Sequence, residues 1–197
     1  MTPSRPHRAA VPALAAATVV AGLAVVPFLG APAQAAPASL TTTYSCSTSF
    51  GTESADVKLS ADFPSSVASG STVAARSVGF SVTVPPRFVG YMRQFGVESV
   101  SGRGSKAAYR VGSTKHALRK VKLPKTAVPA SGAMVLKGKG VASAFTAPAP
   151  GTYAVRVPSS FAATMKATTS SGDSSTIDLD CTLASGAPSK IGTLTVR

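Results

Sequence analysis

The feature that most restricts this chain is a side-chain period of two, sustained from about residue 44 to the C-terminus. Val78, Phe80, Val82 and Val84 alternate with Gly79, Ser81 and Thr83. Val57, Leu59 and Ala61 alternate with Lys58, Ser60 and Asp62, and Ile177, Leu179, Cys181 and Leu183 with Asp178, Asp180 and Thr182. Neighbouring side chains of an extended strand point to opposite faces, so each run sets an apolar row against a polar one. Shorter runs of the same kind surround Tyr109 and Val111, Tyr153, Val155 and Val157, Phe161, Ala163 and Met165, and Leu194 and Val196. Met134, Leu136, Gly138 and Gly140 share one face of another. Gly, Ser and Pro punctuate the runs, and with no Asn in the chain the turns use Gly, Ser, Pro and Asp. Strands of this length and spacing predict an antiparallel Ig-like β-sandwich.

One segment breaks the period. Phe88, Met92 and Phe95 fall at i, i+4 and i+7, with Pro86 suited to a first helical turn and Gly96 to a C′ stop. This predicts one short amphipathic helix whose aromatic stripe joins the core.

The N-terminal residues read as an export signal. Arg5, His7 and Arg8 precede an apolar run from Val11 to Gly30, which ends in Ala31-Pro32-Ala33-Gln34-Ala35. Ala33 and Ala35 occupy the small-residue positions of a signal-peptidase site, so cleavage is expected after Ala35. The alternative is a membrane anchor; Pro12, Pro27 and the A-x-A ending favour removal. The expected organisation is a signal peptide at 1–35, a loose leader at 36–43 and a β-sandwich domain at 44–197, secreted and without a later membrane span. Oligomeric state is not legible.

Cys46 and Cys181 are the only cysteines. In an exported chain such a pair is most simply a disulfide, the alternative being two buried thiols. A loop of that length corresponds to about 5 kcal/mol in the chain-entropy treatment.

Removing Arg5 and Arg8 from the 20 basic residues leaves 18 against 7 acids, a formal +11. Such an excess favours polyanionic partners: acidic wall polymers, anionic lipid or nucleic acid. Between Glu98 and Asp173 there are twelve basic residues and no acid. If the runs around 118–123 and 133–140 pair, Lys120, Lys122, Lys137 and Lys139 share one face, with Arg119 and Lys125 beside them. The cluster is an anion-binding surface, or equally a lysine-protected sheet edge. Nucleic acid is the weaker candidate, because no aromatics are interleaved for base stacking.

Catalytic chemistry finds little support. His116 is the single histidine outside the export signal, in a polar basic stretch, and no G-x-S-x-G elbow occurs. Zinc needs three or four ligands, and none are assembled in the sequence. Asp178 and Asp180 share a strand face, read as a polar outer surface or, with Asp173, as a weak Ca²⁺ site. Leu123-Pro124-Lys125-Thr126-Ala127 imitates a wall-sorting signal but sits mid-domain. No cofactor is expected.

Tyr44-Ser45-Cys46, the run Leu59 to Val67, Phe80 to Pro85, Val128-Pro129-Ala130-Ser131-Gly132 and Cys181-Thr182-Leu183, in this order, resemble a family of secreted actinobacterial domains of unknown function with an Ig-like sandwich. The resemblance implies that fold and assigns no residue a role. The sequence reading is therefore a non-catalytic secreted or envelope-associated module that contacts anionic wall polymers through its basic surface. The alternatives are a secreted hydrolase using the sparse carboxylates or His116, and a free cationic protein acting on membranes.

Overall fold

The computed structural model describes residues 35–49 and 51–197. The expected export signal, up to residue 34, lies outside the described residues. The elements in order are β1 (Ala35–Thr48), β2 (Gly51–Pro64), β3 (Ser66–Val67), β4 (Thr72–Val73), β5 (Arg76–Val84), α1 (Pro86–Gln94), β6 (Val97–Ser105) and β7 (Ala108–Val111). They continue with β8 (Thr114–Ala127), β9 (Met134–Ala142), β10 (Phe145–Thr146), β11 (Gly151–Arg156), β12 (Ser160–Thr169), β13 (Ser174–Leu183) and β14 (Lys190–Val196).

The all-β expectation with one short helix holds, but the architecture is not two facing sheets. Strands β6, β12, β13, β1, β2, β5, β9 and β8 pair in that order, and β8 pairs back to β6, closing an eight-stranded antiparallel barrel. The reason lies in β8. Register shifts occur opposite β9 at Lys120 and Val121, and opposite β6 at Pro124 and Lys125. An extra residue in one strand of a pair bends it and raises its twist, which lets β8 turn from one neighbour to the other. Alternation tells which side chains share a face. It does not tell whether that face meets a second sheet or curls round to meet itself.

Inward glycines allow the curvature. Phe80 and Gly138 are register partners, and the Phe80 ring lies where a side chain at 138 would sit. A Cβ there would also come within 2.7 Å of the Lys122 carbonyl oxygen, so the strands approach too closely for any other residue.

The first part of β8 leaves the barrel. Thr114–Ala117 pair with β7, and β7, β11, β14 and β3 extend a second sheet from it. That sheet packs across one end of the barrel. Tyr109, Val111, Val155, Leu194 and Val196 from the second sheet meet Ala61, Val78 and Ala142 from the barrel in one buried cluster. Strands β4 and β10 form a separate two-stranded ribbon.

Residues 36–43, expected as a leader, form the first half of β1 and pair with β2 from Ala36 opposite Phe63 to Thr43 opposite Asp56. Pairing to β13 begins only at Tyr44, so this half has a free edge, where Pro37 costs no ladder hydrogen bond.

Cys46 and Cys181 are joined by a disulfide between directly opposed residues of the adjacent strands β1 and β13. The bond staples neighbours within one wall rather than clasping two layers. Both cysteines are buried.

Candidate functional site

The barrel's outward positions are polar: Lys58, Ser60 and Asp62 on β2, Lys137 and Lys139 on β9, Asp178 and Asp180 on β13. The inward ones are apolar. This is the reverse of a barrel that faces lipid. No helix among the described residues is long and apolar enough to cross a membrane, which by itself says nothing of strands.

The interior is not filled. Buried side chains form two walls, one around Tyr44, Cys46, Val57 and Leu59 and the other around Val100, Leu123, Met134 and Leu136. Between them is a cavity of about 910 Å³ with an almost wholly apolar lining. Phe80, Val82, Ala163, Met165, Ile177 and Leu179 point inward yet remain only half-buried, because they face that space. The cause is composition. An eight-stranded barrel has a lumen that ordinary side chains just fill. Here Gly102, Gly104, Ala163 and Ala167 line it and take up little volume.

The second sheet plugs one end, and the other end is the mouth. Helix α1 crosses it, carrying the chain from β5 to β6 past the ends of β9 and β8. Pro86 starts the helix and Phe95 caps it; Gly96 follows with φ 69°, a left-handed conformation that favours glycine. Val89 is buried on the inner side. The aromatic stripe expected in the core is only partly there: Phe88 and Met92 are half-buried, whereas Phe95 is 75% exposed and Tyr91 58%. Phe88, Tyr91, Met92 and Phe95 all border the cavity, so the stripe faces the mouth. Arg87 donates to Glu53 at 3.2 Å, and the Ser170 amide to the Gly96 carbonyl at 3.3 Å, tying the helix to β2 and to the β12–β13 turn.

Polar groups in the walls are few. The Tyr44 hydroxyl donates to the Pro158 carbonyl at 2.7 Å, and burial raises its pKa well above the ordinary 10.0. The Thr42 hydroxyl is buried without a hydrogen-bond partner.

The expected basic cluster is assembled only in part. Lys122 of β8 lies directly opposite Lys139 of β9 and, on its other side, opposite Arg103 of β6, three exposed cations in one cross-strand line. Lys137 is on the same face of β9, opposite Ser81. Arg119 is opposite Val141. Lys120 and Lys125 sit in the two bulges, Lys120 with φ 53°. Strands β8 and β9 each have two barrel partners, so these lysines do not guard a sheet edge. Five of the seven acids lie on β2 and β13, across the barrel from β8, so the two charges occupy opposite walls.

His116 is on a strand rather than in a loop. It stacks on Phe145 with ring centroids 4.6 Å apart and lies 5.3 Å from Tyr109, and burial lowers its pKa below 6.5. Asp178 accepts a 2.6 Å hydrogen bond from the Thr164 hydroxyl on the outer face. Among the described residues no three His, Cys, Asp or Glu side chains group around a common point. Leu123 of the sorting-signal look-alike is buried in the barrel wall.

The lumen was missed at the sequence level. Its available signal was the pairing of glycine and alanine with inward positions in β6, β9 and β12.

Fold and site together define an antiparallel β-barrel with an apolar, open-mouthed interior. Residues 43–192 match a family of unknown function, DUF6801, and the chain belongs to that family. Neither the curated proteins nor the solved structures compared with the chain contain a match.

Proposed function

We propose that this protein is an exported, non-catalytic binding module that holds an elongated apolar molecule in its barrel. The observation that carries this is the row of inward, half-exposed apolar side chains around a 910 Å³ space. That volume falls in the range of pockets that enclose small ligands, and eight-stranded barrels can hold one such ligand. The near absence of polar groups in the lining favours a hydrocarbon chain over a sugar or nucleotide. The exposed rings of Tyr91 and Phe95 at the rim give such a chain an apolar entry.

The test is displacement of a fluorescent apolar probe by long-chain fatty acids, with native mass spectrometry on the purified protein. Ala163→Trp, which fills the lumen, is expected to abolish binding and leave the circular dichroism spectrum unchanged. Val135→Ser, on the outer wall, is expected to bind as the wild type does. Undiminished binding by folded Ala163→Trp defeats the reading.

A second reading concerns location. We infer from the export signal read up to Ala35 that the protein works outside the cytoplasm, and the line Arg103–Lys122–Lys139 with Lys137 favours retention at the envelope by anionic wall polymers. Salt-sensitive binding to isolated walls that disappears in Lys122→Ser/Lys137→Ser/Lys139→Ser tests it, and equal retention by that variant refutes it.

A further inference from the structure

A second line of cations lies on the outer face of the second sheet, where the sequence gives no hint of one. Lys115 of β8 is the register partner of Arg110 of β7; Arg110 is the partner of Arg156 of β11; Arg156 is the partner of Lys190 of β14. Register partners project from the same face of a sheet; the last pair follows a register shift between Val155 and Arg156, which sets Lys190 beside Arg156 where both are exposed. The opposite face at these strands is occupied by Tyr109, Val111, Val155 and Leu194, which are buried. Four positive side chains, drawn from positions spread between 110 and 190, therefore stand in one row. With strands about 4.8 Å apart the row is about 15 Å long.

Ordinary surface design does not account for it. Like charges directly opposite each other across a strand pair repel, and here this happens three times in succession. Strands β7, β8, β11 and β14 contain no Asp or Glu, so nothing on the same strands offsets it. The one ion pair among the described residues, Arg87–Glu53, is on the barrel. Lysines that protect sheet edges belong on edge strands. That account does not reach the two arginines, because β7 and β11 are interior to this sheet; the lysines flank them at its margins, Lys190 on the part of β14 that β3 does not pair with and Lys115 on the part of β8 that pairs with β7 alone. The arginines are held in place: Arg156 donates to the Ser189 hydroxyl at 2.8 Å, and Arg110 is half-buried, with a buried Nε that has no partner. The rows alongside are small, Ala108 opposite Ala117 and Ala154 opposite Thr193, which leaves a low floor on which a chain can lie.

We propose that the row Lys115–Arg110–Arg156–Lys190 is a binding site for a linear polyanion of phosphate type laid across the strands. A single small anion would engage one or two of the cations; only an extended ligand neutralises all four. No aromatic side chain flanks the row on its outer face, so nothing offers a stacking surface for bases. The site uses the same kind of contact as the barrel line around Lys122 but assigns it to different residues.

The experiment titrates inorganic polyphosphate into the full-length protein over a salt series, with single-stranded DNA of equal charge and anionic phospholipid vesicles as further arms. Arg110→Gln/Arg156→Gln is expected to weaken polyphosphate binding at least tenfold and to make its salt dependence shallower. Lys58→Gln/Lys166→Gln, exposed on other barrel strands and with the same change in charge, is expected to weaken it less than threefold. Arg110→Lys/Arg156→Lys is expected to stay within threefold of wild type, which separates lost charge from lost fold. Equal losses in the two Gln pairs overturn the site in favour of diffuse charge. Loss in the Lys58 pair alone overturns it. A loss in the Lys pair as large as in the Gln pair overturns the charge argument. Tighter binding of DNA or vesicles than of polyphosphate overturns the ligand class.

Discussion

His116 shows how a neighbourhood decides what one residue does. In the sequence it sits among Gly, Ser, Thr and Lys and reads as solvated. On β8 it points inward at Tyr109 and Phe145, where burial disfavours the imidazolium. The folded pKa lies below the unfolded one, so between the two the unfolded chain binds more protons and stability rises with pH. Stability is therefore expected to fall as pH drops below about 6.5, before most carboxylates titrate. Urea midpoints measured down to pH 5 should show this loss in the wild type and a flatter curve in His116→Phe, whose ring suits the same cluster. Identical curves would assign the loss to other groups. Tyr109 illustrates the opposite direction. Burial raises its pKa to about 12, so its effect is confined to strongly alkaline solution.

At the scale of elements, β8 is the strand that decides the architecture. It pairs with β7, β9 and β6 in turn, and two bulges make this possible. Lys120 carries the first bulge with φ 53°, a left-handed conformation that costs a residue with a Cβ roughly 1–2 kcal/mol, and more for a β-branched side chain. Lys120→Gly is expected to leave the unfolding free energy unchanged or raise it by up to about 1 kcal/mol, while Lys120→Val lowers it by about 1–2 kcal/mol. Equal stabilities of the two variants would mean that the bulge relaxes and that closure does not depend on it. Helix α1 was legible from Pro86, Gly96 and the i, i+4, i+7 spacing, and the structure places it at Pro86–Gln94. The side of it that would be buried was not legible, because the same stripe suits a packed core and the rim of an open barrel.

For the molecule as a whole, the disulfide closes a loop of 135 residues between strands that the barrel already holds side by side. Chain entropy sets the stabilisation at about 5 kcal/mol, a large part of what a typical domain has. Denaturant unfolding with and without reductant, and of Cys46→Ser/Cys181→Ser, is expected to show a loss of that order; a loss under about 1 kcal/mol would show that the unfolded chain is already constrained by residual structure. The strands, the helix, the cysteine pair and the overall charge were all carried by the order of the residues, because each depends on local periodicity, local turn chemistry or composition. Closure of the sheet, the empty lumen and the row Lys115–Arg110–Arg156–Lys190 were decided only in three dimensions. Each depends on which strands become neighbours and in what register, and strand pairing joins residues far apart in the chain through backbone hydrogen bonds that carry no side-chain signature.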